Sequence, residues 1–159
     1  MIILGIDPGI ATVGYGVVAF EKGSFLASDH GAILTPAHTP LENRLNKIFD
    51  DTTELIKKYK AEYLAIEELF FNTNQKTAIS VAQGRGVVLL AAKKAGIPIY
   101  EFTPLQVKQS VVGYGRAEKK QVMTMTKIIL NLEEIPKPDD AADALALAIC
   151  LAHSLRYGE

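Results

Sequence analysis

Three aspartates, Asp139, Asp140 and Asp143, stand at the start of an otherwise apolar, alanine-rich run, PKPDDAADALALAI, from Pro136 to Ile149. Capping explains part of this. Aspartate is a favoured N-cap, and acids in a first turn complement the positive end of the helix dipole; Asp139 is assigned that role. Asp140 and Asp143 fall about 60° apart on one helical face, which capping does not require. Two further acids close short apolar runs, Asp7 after IILGI and Glu67 after YLAI. Each is expected at the carboxyl end of a buried strand, where an ionised acid is costly unless something pairs with it. No arginine lies near either in sequence. If those strands are neighbours, Asp7 and Glu67 meet, and the last helix can deliver Asp140 and Asp143 beside them. Four carboxylates in one place raise one another's pKa values unless a divalent cation neutralises them. An oxygen-only donor set suits Mg2+, with Mn2+ as a substitute, better than Zn2+. Two such ions about 4 Å apart activate water and stabilise the leaving oxygen in phosphodiester cleavage.

The elements that must position these acids follow from periodicity. Residues 1–6 are continuously apolar, as for a strand covered on both faces. Residues 12–20 and 24–34 read as two more strands, joined through short glycine-containing connections into an antiparallel meander. Thr39-Pro40-Leu41-Glu42 reads as a capping box with proline at the first helical position. The helix it opens is expected to reach about Lys60, with Leu41, Leu45, Ile48, Leu55, Ile56 and Tyr59 on one stripe. A strand over 63–67 precedes a helix over 74–95, stopped by Gly96 and Pro98. A fifth strand is predicted over 98–102. Thr103-Pro104-Leu105-Gln106 is a second capping box, opening a short helix that carries Lys108. The glycine-punctuated GYGRAE loop separates it from a helix over 118–130, and the acid-bearing helix comes last. This order predicts one α/β domain over 1–159: a mixed five-stranded sheet, three antiparallel strands then parallel ones, with helices on both faces.

A chain of 159 residues, 48% hydrophobic and 22% charged, suits one globular core. Its single cysteine, Cys150, lies in the apolar run of the last helix and reads as a small core residue. One cysteine excludes an internal disulfide and a zinc site built on cysteine pairs. His30, His38 and His153 match no metal spacing. MIILGID is too short for a signal peptide and has no basic leader, and no stretch approaches the length of a membrane span. A cytoplasmic location, away from membranes, is expected. The net charge of −1 conceals an asymmetry: residues 79–130 carry 8 basic and 2 acidic side chains, against 7 and 10 before them and 2 and 6 after. A near-neutral protein with such a basic middle can present a positive face.

GIDPG at 5–9 with GYG at 14–16, AIEELFF at 65–71, AQGRG at 82–86, QVKQSVVGYG at 106–115, AEKKQV at 117–122 and DAADALALA at 140–148 occur in that order. Together they closely resemble the RuvC family of Holliday junction resolvases over nearly the whole chain. The resemblance implies an RNase H-like fold and a homodimer acting on four-way DNA junctions. It also implies Mg2+-dependent paired nicks made alongside the RuvA–RuvB branch-migration machinery of bacterial relatives. Asp7, Glu67, Asp140 and Asp143 match the family's catalytic, metal-binding carboxylates. Lys108 and Lys119 match basic residues near the scissile phosphate, and Phe70 matches an aromatic that stacks on bases at the junction centre. Arg116 and Lys120 complete the expected DNA-binding set. Two-fold symmetry fits the task, because paired nicks in opposed strands need two related sites.

Each assignment has a rival. Asp7 could merely cap the Pro8-Gly9 turn. Glu68 faces away from Glu67 on a strand and reads as solvent-facing or as a supporting group. Phe70 and Phe71 point to opposite sides if extended, so the family match alone selects Phe70. Lys120 could replace Lys119 at the phosphate. Gly113 and Gly115 either admit DNA or only permit positive φ. Ala78, Val81, Ala82, Val88, Leu89 and Ala92 fit one intramolecular face, while the resemblance makes this region part of a dimer contact. At the scale of the chain the rivals are an ATP-binding sugar-kinase or actin-like protein, a catalytically idle DNA-structure binder, and other RNase H-like nucleases such as the YqgF-like group. The first needs a second lobe that 159 residues do not supply. The second gains nothing from acids aimed at phosphates, and the third lacks the ordered motifs. A pI near 6.3 is low for a junction binder and predicts weaker binding at moderate salt than a strongly basic relative shows.

Overall fold

β1 (Ile2–Asp7), β2 (Thr12–Glu21) and β3 (Ser24–Leu34) form the expected antiparallel meander in the computed structural model, which describes residues 1–69 and 75–156. β4 (Tyr63–Glu67) pairs parallel with β1, and β5 (Ile99–Phe102) parallel with β4, giving the order β3-β2-β1-β4-β5. The first strand is thus central, as its unbroken apolar run requires. Its side chains alternate between two cores. Leu4 and Ile6 join a cluster with Ile48 and Ile56 of α1 (Leu41–Tyr59) and Val88 and Ala92 of α2 (Gln75–Ala95). Ile3 points to the opposite face, into a cluster with Leu145, Leu147 and Leu151 of α5 (Asp139–Arg156). Full burial of side chains such as Ile3, Leu4, Leu64 and Ile66 stabilises the sheet by about 2 kcal/mol each. α3 (Pro104–Val111) and α4 (Lys119–Ile129) pack against α5 through Val111, Val122, Ala146 and Ile149.

α5 is buried at every position from Ala144 to Ala152, the signature of a helix enclosed by protein. It lies hard against the sheet because two strand residues have no side chain. A Cβ on Gly5 would stand 2.0 Å from the Ala144 carbonyl oxygen, and one on Gly14 would stand 2.1 Å from that of Asp140. Both clashes are with backbone, so the helix could not remain where it is. No helix among the described residues is long and apolar enough to cross a membrane.

The helix starts depart from expectation in two places. Thr39 does not cap α1. Pro40 stands at the cap, its carbonyl accepting from the Asn43 and Arg44 N–H groups, and no side chain caps the helix. Likewise α5 begins at Asp139, with the Pro138 carbonyl accepting from Ala141 and Ala142 N–H at 2.9 and 3.4 Å. Asp139 is therefore a first-turn acid on the positive end of the dipole and not the cap. In both cases the proline supplies the carbonyl that starts the ladder. The Thr103 box forms as expected: Thr103 Oγ1 accepts from Gln106 N–H at 3.2 Å, and Gln106 Oε1 accepts from Thr103 N–H at 2.8 Å. A comparable reach, Gln121 Oε1 accepting from Glu118 N–H at 2.8 Å, opens α4 and was not anticipated.

Candidate active site

Strand parity and register assemble the site. Ile6 of β1 is opposite Ile66 of β4 in the parallel pair, so Asp7 and Glu67 come side by side at the carboxyl ends of adjacent strands. Asp7 has the parity of Ile3 and Gly5, and Glu67 that of Ala65; both sets face α5. The first turn of α5 passes over Gly14, itself opposite Asp7 in the β1–β2 ladder, and brings Asp140 to the same spot, with Asp143 following one turn on. Carboxylate oxygens of Asp7, Asp140 and Asp143 lie within 4.8 Å of one another. Glu67 stands outside this close group, near enough to feel it.

The electrostatics follow from that crowding. Burial, then the charges of Asp143, Glu67 and Asp140, push the Asp7 carboxyl up to about 9. Burial also raises Glu67, with repulsion from Asp143 adding and the Lys119 ammonium opposing. Asp143 is raised by burial, although Lys119 again acts against the shift. The opposition is direct: Lys119 Nζ donates to Asp143 Oδ2 at 3.4 Å. Burial tends to lower Lys119, but attraction from Asp143, Asp139 and Asp7 outweighs it and the ammonium is held charged. These acids crowd together at a cost that the protein alone does not offset, which is the pattern of a built functional site.

The acids open onto a cleft of about 240 Å³ lined by Glu67, Asp143, Lys108 and Lys119 with an apolar wall of Pro104, Val107, Val122, Ala146 and Leu147. The Thr103 box fixes the start of α3 and with it the direction of Lys108. Negative charge for a cation and positive charge for an anion thus face one small space. Lys120 is exposed on α4 and does not line the cleft, so Lys119 is the lysine set against the acids. Arg116 is exposed in the loop between α3 and α4. Glu68 is exposed as well, in keeping with its parity. Phe70 and Phe71 lie outside the described residues. Cys150 is buried in α5, where burial pushes its thiol up. Sequence reasoning passed over the part played by Gly5 and Gly14, although glycine inside a strand is a signal of close backbone approach.

A sequence profile described as Crossover junction endodeoxyribonuclease RuvC matches residues 3–151. The chain belongs to the RuvC family. Crossover junction endodeoxyribonuclease RuvC of Alkaliphilus metalliredigens is 60% identical over 154 residues, 97% of this chain and 94% of that one. The protein of the same description from Heliobacterium modesticaldum is 56% identical over 158 residues, 99% of this chain and 98% of that one. Among solved structures, Thermus thermophilus RuvC superimposes with a TM-score of 0.90 at 39% identity, covering 99% of this chain and 97% of that one. The same protein in complex with a Holliday junction substrate gives 0.87 at 37% identity, with the same coverage. The yeast mitochondrial Holliday junction resolvase Ydc2 shares the fold, with a TM-score of 0.64 at 16% identity over 98% of this chain and 82% of that one. The five-stranded mixed sheet is therefore the RNase H-like sheet of the RuvC family.

Proposed function

We propose that this chain is a structure-specific endodeoxyribonuclease that resolves four-way DNA junctions in recombination and repair by paired, symmetric nicks. The observation that carries the proposal is the group formed by Asp7, Asp140 and Asp143, with carboxylate oxygens within 4.8 Å of one another beside a lysine-lined cleft. The group fits a divalent cation: its donors are all carboxylate oxygens, and Asp7 at about 9 is held protonated near neutrality unless positive charge arrives. Mg2+ is the expected ion and Mn2+ its substitute, with two ions per site in the working complex. Bound there, such ions supply Lewis-acid activation of water and stabilisation of the leaving oxygen.

The chain's own residues do the rest. Asp7, Asp140 and Asp143 hold the cation, and Glu67 completes the set from the neighbouring strand. Lys119 balances Asp143 in the free protein and turns to the scissile phosphate when DNA enters. Lys108 meets the same phosphate backbone from α3, while Val107 and Leu147 keep bulk water from that side of the cleft. Phe70 stacks at the junction centre, and Arg116 and Lys120 contact the backbone farther out. Residues 1–159 act as one nuclease domain, in the cytoplasm, with the RuvA–RuvB complex as partner.

The working unit is a homodimer. Ile79 and Leu90 lie eleven residues apart on one side of α2 and remain 68% and 51% exposed, apolar area that a second copy would cover. Gly86 lies between them on the same side, with nothing within 4 Å of where a Cβ would stand. The test is cleavage of a mobile four-way junction beside a linear duplex of the same sequence. Paired nicks confined to the junction are expected; equal cutting of the duplex would overturn the proposed specificity.

A further inference from the structure

We infer that Arg85 is a positioning residue for Glu67, holding the end of β4 so that this carboxylate stays against the acidic group; the inference rests on the nuclease reading. Arg85 belongs to α2, on the face of the sheet opposite α5. Its Nε donates to the Glu67 backbone carbonyl at 3.2 Å, and a terminal nitrogen of the same guanidinium pairs with Glu101 Oε1 at 3.1 Å. Glu101 is on β5, opposite Ile66 in the β4–β5 ladder. One rigid planar fork therefore ties the ends of two strands to a helix. The neighbouring residue does the same for β1 by shape: a Cβ on Gly84 would stand 2.5 Å from the Gly9 carbonyl oxygen, so α2 touches the turn that follows Asp7.

Three observations separate positioning from plain scaffolding or DNA contact. The Arg85 side chain is only 11% exposed, too enclosed to meet a phosphate backbone as Lys119 can. Its ion-pair partner Glu101 is about half exposed, and such a pair contributes little on its own. Glu67, by contrast, is repelled by Asp143 and stands outside the close group, so the strand end that bears it needs restraint. A second cavity of about 270 Å³ has Pro8, Glu67, Arg85 and Pro104 in its lining, and Glu67 and Pro104 also line the cleft itself. Glu67 borders both spaces, and Arg85 holds its backbone from α2.

The test uses the full chain with Arg85→Gln, Arg85→Lys and Glu101→Gln. Three quantities are read: junction binding in chelator, the Mg2+ concentration giving half-maximal single-turnover cleavage of a prebound junction, and the gain in Tm on adding Mn2+ without DNA. For Arg85→Gln the expected result is unchanged junction binding, a half-maximal Mg2+ concentration raised on the order of 10-fold, and a smaller Mn2+-induced Tm gain. Arg85→Lys falls between, since an ammonium cannot keep both bonds in one plane. Glu101→Gln, which leaves the bond to Glu67, has the smallest effect. If Arg85→Gln does not fold, the other two variants carry the comparison. Wild-type metal dependence in every variant, or a lowered Tm with no change in metal response, would reduce Arg85 to scaffolding. Loss of junction binding in chelator would make it a DNA contact instead. A wild-type protein that cleaves no junction counts against the nuclease reading, and the Mn2+ response still decides the part Arg85 plays.

Discussion

Burial and three neighbouring acids hold the Asp7 carboxyl at about 9, against an ordinary value of 3.8, and that difference links stability to pH. The folded chain keeps a proton on Asp7 that the unfolded chain has released, so the group favours folding below about pH 4. That contribution is lost as pH rises towards 9. Glu67 and Asp143, also raised, act in the same sense. In chelator, Tm should therefore fall between pH 5 and pH 8.5. Asp7→Asn should flatten that slope and raise Tm at pH 8 by on the order of 5 °C while abolishing cleavage. Mg2+ should raise the wild-type Tm more at pH 8 than at pH 5, because the proton it must displace from Asp7 competes less strongly at the higher pH. Thermal melts across pH check this, and an Asp7→Asn protein less stable than wild type at pH 8 would contradict it. The two lysines separate in the same way. Lys119→Met should cost on the order of 10²-fold in single-turnover cleavage, while Lys120→Met, which removes a side chain outside the cleft, should cost far less.

At the scale of the elements, the site depends on how closely α5 lies on the sheet. Gly14→Ala drives a methyl into the Asp140 carbonyl at 2.1 Å, so the helix must shift and take Asp140 and Asp143 with it. A cost of about 2–3 kcal/mol is expected, with cleavage lost out of proportion to the fall in Tm. Gly86→Ala, whose methyl would meet nothing within 4 Å, should instead raise the stability of the single chain by about 1 kcal/mol. Denaturant titration of the two variants separates these outcomes. The strand ends that carry Asp7 and Glu67 were legible in the sequence because an apolar run ending in an acid has few other readings. The Thr103 box was legible for a similar reason, since its two hydrogen bonds are local. Thr39 and Asp139 misled because each adjoins a proline that can take the cap itself, and the path of the incoming chain decides between them. The Arg85–Glu67 bond could not be read at all: it joins residues 18 apart through a backbone carbonyl, which leaves no trace in residue type.

For the molecule as a whole, the charge pattern sets the terms of DNA binding. The formal net charge is −1, yet Lys108, Arg116, Lys119 and Lys120 all fall on α3, α4 and the loop between them, and Lys108 and Lys119 line the cleft. Affinity drawn from so local a patch should collapse with salt, by roughly 10³-fold or more between 50 and 200 mM if two copies together neutralise six or more phosphates. A salt titration that gives a flat response would place the affinity elsewhere. The sheet, the acid group and the positive patch otherwise converge on one claim, that Asp7 with Asp140 and Asp143 of α5 builds a divalent-cation centre for cutting DNA. The most direct measurement is single-turnover cleavage of a prebound four-way junction as Mg2+ is titrated, for wild type and for Asp7→Asn, with a chelator control. The account predicts saturable, Mg2+-dependent paired nicking by the wild type, none in chelator, and none by Asp7→Asn although it still binds the junction. Cleavage that persists in chelator, or in Asp7→Asn at wild-type rate, would contradict it.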